Sequence, residues 1–563
     1  MKLFIVESPA KAKTIRSYLG KDFVVIATMG HIKDLPSNEM GIDFRTFEPK
    51  YVFLPGKRKI ISSIINLSKK SDIVFLASDR DREGEMISFH VKEVISRYVN
   101  QIKRVEFIEV TKDGILSALS SPRDINYDLV NAQKTRRLLD RIVGYVLSPV
   151  LFRNFRTKYR GYSFSAGRVQ SPALRLVCER EIEIRNFVSV PYYDVFIECE
   201  KDSKQFLLKL VSEHVDDNKL KFGLTNRIDD SKLDEIKENL NFSNIKVLYS
   251  KFYRDFIKPL PPFKTSTLQQ EASAKLGFSP SKTMNIAQQL YEGMDIGGEF
   301  VGLITYMRTD SVRISDYAIK RVREFIKTKL GDNYLPKNPR IYDFSNGNIQ
   351  DAHECIRPTD VFREPISLKD RIPESHYLLY DLIWRRFIAS QMKDAVLSVI
   401  EVLASDGRYN FAGVSRSVVE ENFLRFYPHS VPDEFFLPLL EDGEKLNVVR
   451  LVYNKKRTQH PPRYTEATLI KKLEEEGIGR PSTYATIVST LLTRKYVVKK
   501  GKSLVPTELG FDVYYFLKEN YPNVVDLKLT SYMESMLDEI EEGKVRDWKG
   551  ILKRLVEMIN IPI

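Results

Sequence analysis

Tyr306, in the run Leu303-Ile304-Thr305-Tyr306-Met307-Arg308-Thr309-Asp310-Ser311, is followed two residues on by Arg308. Along an extended chain those two side chains share a side. A tyrosine oxygen can attack a phosphodiester and later leave again, and a guanidinium can neutralise the charge that builds on the phosphate oxygens. Two further clusters offer such a pair something to work with. Asp79, Asp81 and Glu83, in Ser78-Asp79-Arg80-Asp81-Arg82-Glu83-Gly84-Glu85, set three carboxylates close together, hard oxygen donors of the kind Mg²⁺ takes. Glu7 and Lys11 stand four apart at a helix start, a proton donor or acceptor beside a phosphate-binding cation. These are the parts of a metal-assisted phosphoryl-transfer site. Each also has a plainer reading. A lone tyrosine among 28 is usually core. The acids can pair with Arg80, Arg82 and Lys92 on an exposed helix start. Glu7 and Lys11 can be an ordinary i, i+4 pair.

A covalent phosphotyrosine can be reversed without an energy source. The sequence has no GxxxxGK[ST] loop, which suits an isoenergetic transesterification.

The elements that must bring these residues together are legible in the hydrophobic pattern. Leu3–Val6, Phe23–Ala27 and Ile73–Ala77 are short apolar runs of the kind found in a buried parallel sheet. Ala10–Leu19, Lys59–Ser68 and Gly84–Val99 read as helices. In open α/β sheets ligands gather at the carboxyl ends of the strands. Glu7 follows the first strand directly and Asp79 follows the third closely, so acids far apart in sequence can meet at one sheet edge. Residues 124–186 read as helical, and Ala132–Val146 carries apolar residues at helical spacing.

From Pro191 the pattern turns to strands: Tyr192–Cys199, Gln205–Val211 and Ile245–Phe252, with a polar surface loop at His214–Asn218. It returns at Val396–Leu403, Tyr409–Val414 and Leu446–Tyr453. One β domain that is left and re-entered accounts for this, with the intervening residues inserted. Thr267, Leu268, Pro280 and Ser281 recur as Thr468, Leu469, Pro481 and Ser482 at one constant offset, and Ala287 and Leu290 recur as Val488 and Leu491. Each copy reads helix, turn, helix, strand (Val301–Tyr306 and Tyr496–Val498), which is helix-turn-helix grammar with a β wing. A recurrent helical hairpin without nucleic-acid contact is the alternative.

At roughly 150 residues per domain, 563 residues imply several domains. Lys and Arg number 88 against 75 Asp and Glu, and the pI is about 9.2, which favours a polyanionic partner. Cys178, Cys199 and Cys355 form no CxxC pair, so neither a zinc ribbon nor a disulfide framework is indicated. The start meets Glu7 too early for a signal peptide, and no apolar stretch is long enough to span a bilayer. A soluble cytoplasmic protein is expected.

Taken jointly, ESPAKAKTI (7–15), GHIKDLP (30–36), SDRDREGE (78–85), SAGRVQSPALRLV (165–177), LITYMRTDS (303–311), AHECIRP (352–358) and GIGRPSTYA (477–485) resemble the type IA DNA topoisomerases, in the order of that family and over most of the chain. The likeness is to the bacterial-type core without C-terminal zinc-ribbon domains. It implies a multidomain α/β, α and β fold forming a torus. The parts would be a Toprim domain (1–123), a discontinuous helical DNA-binding domain (124–186 and 460–563), a β-rich arch (187–263 and 391–459) and an inserted winged-helix-like domain (264–390) that carries Tyr306.

The resemblance further implies a catalytic set of Tyr306, Arg308, Glu7, Lys11 and His353. Glu7 would assist the departing 3′ oxygen, Lys11 would stabilise the transition state, and His353 would lie near the scissile phosphate. Mg²⁺ would be held by Glu7, Asp79, Asp81 and Glu83. DNA would be met by His31, Arg104, Arg136, Asp140, Arg168, Gln170, Arg480, Ser482 and Thr483. For Ser482 and Thr483, a cap at a helix start and a phosphate contact are compatible. One departure is Ile108, where family members usually carry Asn. The implied activity is ATP-independent relaxation of negatively supercoiled DNA by a monomer, through single-strand cleavage and a 5′-phosphotyrosyl intermediate. The topoisomerase half of a split reverse gyrase, with a separate helicase or accessory DNA-binding protein, is the nearest alternative. A non-catalytic Toprim nucleic-acid-binding protein is another.

Overall fold

The computed structural model describes residues 1–211, 227–342, 354–428 and 435–562. The expected polar loop at His214–Asn218 lies outside them, as does His353.

The first part is a four-stranded parallel sheet in the order β2-β1-β3-β4, from β1 (Lys2–Val6), β2 (Phe23–Ala27), β3 (Ile73–Leu76) and β4 (Gln101–Arg104). Leu3 to Val6 are all buried, which is why the run is apolar without alternation. Helices α1 (Pro9–Tyr18), α2 (Arg58–Ser68), α3 (Arg82–Ile95) and α4 (Lys112–Ser120) cover it. β1 and β3 are neighbours, with Ile5 beside Leu76, so Glu7 and Asp79 leave the sheet side by side. Ser8 caps α1 by accepting from Lys11 N at 3.2 Å, with Pro9 at the first helical position. Asp81 caps α3 by accepting from Gly84 N at 2.7 Å. A Cβ on Gly84 would lie 2.1 Å from the Asp79 carbonyl oxygen, so only glycine lets α3 start this close to the strand end.

α5 (Tyr127–Phe155) and α6 (Gln170–Arg185) follow, as the sequence predicts. All six expected strands then share one antiparallel sheet. Its order is β7-β8-β9-β6-β5-β10, from β5 (Pro191–Lys201), β6 (Lys204–Val211), β7 (Lys246–Ile257), β8 (Ala395–Ser405), β9 (Asn410–Glu420) and β10 (Asn447–Arg457). α7 (Asp230–Asn239) contributes Leu233 and Ile236 to the core beneath it. The chain leaves this sheet after β7 and returns at β8.

Between them lie α8 (Thr265–Leu276), α9 (Pro280–Glu292), α10 (Asp316–Phe325) and α11 (Glu374–Ser390). After β10 come α12 (Glu466–Glu475), α13 (Tyr484–Thr493), a two-stranded wing of β11 (Val497–Lys500) and β12 (Ser503–Pro506), then α14 (Glu508–Asn520), α15 (Leu527–Glu541) and α16 (Trp548–Ile559). The two echoed copies both form helix-turn-helix units, and their first helices, α8 and α12, pack on each other. Their second helices start differently. α9 begins at Pro280, capped by Ser279. α13 begins only at Tyr484, because residues 480–483 close a turn in which Thr483 N donates to Arg480 O at 2.8 Å.

The expected strand Val301–Tyr306 is mostly not a strand. Phe300–Val301 pairs with Met294–Asp295, and Ile304 makes an isolated bridge to Pro358. The segment instead takes partners from several sides: Gly302 N donates to Val110 O at 3.0 Å, Leu303 N to Leu290 O at 2.7 Å and Tyr306 N to Ile108 O at 2.8 Å. Residues of the first sheet (Phe4, Val6, Phe75) and of the segment around Tyr306 accordingly share one hydrophobic core. Among the described residues, no helix is long and apolar enough to cross a membrane.

Candidate active site

Glu7, Lys11 and Asp79 form the first half of the site. The Lys11 ammonium is fully buried and donates to Glu7 Oε1 at 2.7 Å and to Asp79 Oδ1. Burial works against its charge, but Asp79 and Glu7 outweigh that and raise its pKa. The two carboxylates are driven apart. Burial alone would raise Asp79, yet the Lys11 charge and hydrogen bonds from Glu7 and Lys11 bring it down to about 2. Glu7 goes the other way: burial, helped by the Asp79 charge, lifts it well above the usual carboxylate range against the pull of Lys11. Of the two, Glu7 is therefore the carboxyl disposed to hold a proton.

Tyr306, Arg308, Asp81 and Glu83 form the second half. Tyr306 is 3% exposed, and its hydroxyl donates to Asp81 Oδ2 at 2.5 Å. Burial, then the Asp81 and Asp79 charges, raise the phenol well above its ordinary pKa, with Arg308 opposing. Arg308 Nη1 lies 3.5 Å from Asp81 Oδ2 and 3.2 Å from Glu83 Oε2. The expected same-side placement of Tyr306 and Arg308 holds, since both reach Asp81.

The acids do not pair with Lys92, nor with Arg82, which turns to Asp538 at 3.5 Å and Glu541 at 3.2 Å. Arg80 Nε lies 3.9 Å from Glu106. Among the described residues no three His, Cys, Asp or Glu side chains converge as a metal group. The predicted ligands are present but spread over two cation-held pairs. Their chemistry still fits a hard divalent ion: all are carboxylates, and the Glu83 side chain is 46% exposed.

The predicted DNA contacts divide. Arg104 is fully buried and corrects its expected role. Its guanidinium pairs with Glu85 at 2.9 Å and donates to the carbonyls of Leu76, Ser78, Val105 and Asp79, so it fixes the loop that presents Asp79 and offers nothing to a groove. Arg136 and Arg168 are buried as well. Arg168 pairs with Asp140 at 3.1 Å and with Glu534. Arg136 lies 3.9 Å from both Asp140 and Glu534. Arg480 joins the same cluster through Glu534 and a hydrogen bond to Asp538 at 2.5 Å. His31, Gln170, Ser482, Thr483 and Asp140 are part-exposed. The charges that weigh on His31 include Glu83 and Asp81, which puts it beside the acidic cluster, and burial lowers its pKa. Thr483 makes no side-chain cap to α13; its hydroxyl accepts from Arg480 N at 2.9 Å instead.

Sequence reasoning missed Tyr291 and Glu534. Tyr291 ends α9 and stacks edge-on against Tyr306, with ring centroids 5.3 Å apart. The repeat held a signal, since the echoed position is Leu492, so a tyrosine is not needed for packing alone. The Ile108 carbonyl accepts from Tyr306 N at 2.8 Å, a contact that does not depend on its side chain.

A family profile described as DNA topoisomerase matches residues 124–553, and a Toprim domain profile matches residues 2–110. DNA topoisomerase 1 of Rickettsia felis is 47% identical over 100% of this chain and 73% of its own length. DNA topoisomerase 1 of Aquifex aeolicus is 43% identical over 99% of this chain and 98% of its own. The full-length topoisomerase I structure from Thermotoga maritima superimposes with a TM-score of 0.86 at 38% identity, covering 100% of this chain and 91% of that one.

Proposed function

The chain belongs to the type IA DNA topoisomerases, isomerases that relax DNA by single-strand cleavage, and from that membership we propose how its own residues perform the reaction. The observation that carries the proposal is the hydroxyl of Tyr306 hydrogen-bonded to Asp81, with Arg308 beside it and the Glu7–Lys11–Asp79 group adjacent.

Tyr306 Oη attacks the phosphorus of one strand. Its proton passes to Asp81, which already accepts that hydrogen. The bond from phosphorus to the 3′ oxygen breaks, and Glu7 gives its proton to that oxygen. The 5′ phosphate stays on Tyr306. Lys11 and Arg308 neutralise charge on the phosphate oxygens. Resealing runs the same steps backwards: the 3′ hydroxyl attacks and returns its proton to Glu7, and Tyr306 leaves, taking its proton back from Asp81. One phosphodiester is exchanged for another, so no nucleotide is consumed.

The Toprim domain is a divalent-metal-binding domain, and we take the ion to be Mg²⁺, which Asp79, Asp81 and Glu83 would hold, with Glu7 able to join them once it has given up its proton. When bound it supplies positive charge that helps orient the phosphate and the 3′ end. All the reacting groups come from one chain, so the reading needs only a monomer. The substrate is a single-stranded segment of negatively supercoiled duplex. For strand passage the residues 264–390 swing away from residues 1–123. The turn-rich joints at about 258–264 and 390–396 are the hinges.

The test is covalent capture. Labelled single-stranded oligonucleotide incubated with the protein and then denatured should migrate with the protein, and the label should map to Tyr306. An adduct on another residue, or none at all, overturns the assignment.

A further inference from the structure

The Tyr291 hydroxyl is fully buried, yet it completes no hydrogen bond with the protein. Leaving a buried hydroxyl unpaired costs stability, and such groups are rare enough in folded proteins to need a reason. Its position is not loose. The ring packs edge-on against the Tyr306 ring, at 5.3 Å between centroids and 64° between planes. The Lys11 ammonium lies 5.2 Å from the same ring's centroid. The backbone is pinned too. Leu303 N donates to Leu290 O at 2.7 Å, and Thr14 Oγ1 donates to Glu292 O at 2.8 Å. A Cβ on Gly302 would lie 2.6 Å from the Tyr291 carbonyl oxygen, so no residue but glycine can pass there.

Asp79, Glu7 and Glu292 are acidic groups whose charges weigh on this hydroxyl. Asp79 lies near enough to weigh on the phenol, but the two do not meet hydrogen-bond geometry, and Asp79 is already bonded to Lys11. A neutral donor thus stands unpaired on a ring that touches both the Tyr306 ring and the Lys11 ammonium. A phosphate attacked by Tyr306 and held by Lys11 must come to that place.

We propose that Tyr291 is a further catalytic residue: its hydroxyl donates a hydrogen bond to a non-bridging oxygen of the scissile phosphodiester, completing with Lys11 and Arg308 the set of groups that receive its charge. It acts as a donor only, and its own O–H bond stays intact throughout. The inference rests on Tyr306 being the nucleophile. A preorganised neutral donor of this kind contributes a factor of roughly 10²–10³ in rate when it meets developing oxygen charge. The repeat agrees with this reading, because Leu492 fills the equivalent place in the second copy, where there is no nucleophile to serve.

Tyr291→Phe removes the hydroxyl and keeps the ring against both Tyr306 and Lys11. Single-turnover cleavage of a labelled single-stranded oligonucleotide should slow at least tenfold. Non-covalent affinity for the same oligonucleotide should stay within twofold, and Tm should be unchanged or higher, because an unpaired buried polar group has gone. Tyr291→Leu, the residue of the second copy, should lose cleavage and also lower Tm. Wild-type cleavage by the Phe variant overturns the proposal. So does a Phe variant whose Tm or affinity falls along with its rate, which would make the hydroxyl structural. Tyr306→Phe run in parallel separates the two readings. An adduct that survives in that variant removes the nucleophile, whereas an adduct lost there but formed normally by Tyr291→Phe removes only Tyr291.

Discussion

One carboxylate of Asp81 serves two elements at once. Its Oδ1 caps α3 by accepting from Gly84 N at 2.7 Å, and its Oδ2 accepts from the Tyr306 hydroxyl at 2.5 Å. The cap fixes the carboxylate, and the carboxylate fixes the nucleophile, so the start of one helix in the first sheet decides where a phenol from the inserted segment points.

Asp81→Asn separates those duties. Asparagine caps helices as well as aspartate does, but with its oxygen turned to Gly84 it presents an amide nitrogen to Tyr306 and cannot take the proton. Cleavage should fall by about 10²–10⁴, the usual contribution of a positioned proton acceptor, with little change in Tm. The loss should persist when a chelator removes the metal. A loss seen only when Mg²⁺ is present would make Asp81 a metal ligand and nothing more.

The split carboxylate pair gives a pH dependence of definite sign. Asp79 is lowered to about 2 in the folded protein. Its contribution to stability is therefore complete above its ordinary pKa and lost as pH falls toward 2. Glu7 is raised, so its contribution runs oppositely, present in acid and lost as pH climbs through its elevated value. Cleavage needs the Glu7 proton and resealing needs the bare carboxylate. Single-turnover cleavage should thus decline with rising pH while resealing gains, and Glu7→Gln should flatten both limbs. Parallel pH profiles for the two enzymes check this.

Arg168 tests the corrected view of the basic residues. It is buried against Asp140 and Glu534, so Arg168→Ala leaves Glu534 short of its nearest cation. Breaking such a pair costs about 3–5 kcal/mol, and thermal unfolding should show it. The salt dependence of oligonucleotide binding should not change. A slope flatter by about 0.7, the value of one phosphate contact on a single strand, with Tm intact would return Arg168 to the groove.

The sequence shows clearly what depends on local pattern. The three apolar runs of the first sheet, the acids at its strand ends and the sheet left after β7 and resumed at β8 all follow from periodicity. The part it hides depends on distant neighbours. Arg104 reads as a surface cation until β4 carries it under Asp79, where four carbonyls need a donor. The segment 302–306 reads as a strand, but its hydrogen bonds go to Val110, Leu290 and Ile108, which no local pattern links to it. Glu534 looks like an ordinary helix acid, and only tertiary packing gathers Arg136, Arg168 and Arg480 around it.

The direction of relaxation follows from what the site can hold. Tyr306 is buried, at 3% exposure, in the core that the inserted segment shares with the first sheet, and a nucleophile so enclosed is reached by one strand more readily than by a duplex. A duplex can offer one strand only where it opens, and negative supercoiling drives that opening while positive supercoiling opposes it. The sequence has no GxxxxGK[ST] loop with which to drive overwinding by ATP. Purified protein with Mg²⁺ should therefore relax negatively supercoiled plasmid, ignore added ATP and leave positively supercoiled plasmid largely untouched, unless a single-stranded bubble is built into it. That bubble is the decisive arm. If strand access sets the direction, a positively supercoiled plasmid with a preformed bubble should relax as readily as the negative one. Relaxation of intact positive supercoils at a comparable rate would show that the protein opens duplex DNA by itself. ATP-dependent positive supercoiling with an added helicase, and no relaxation by this chain alone, would mark it as one half of a reverse gyrase.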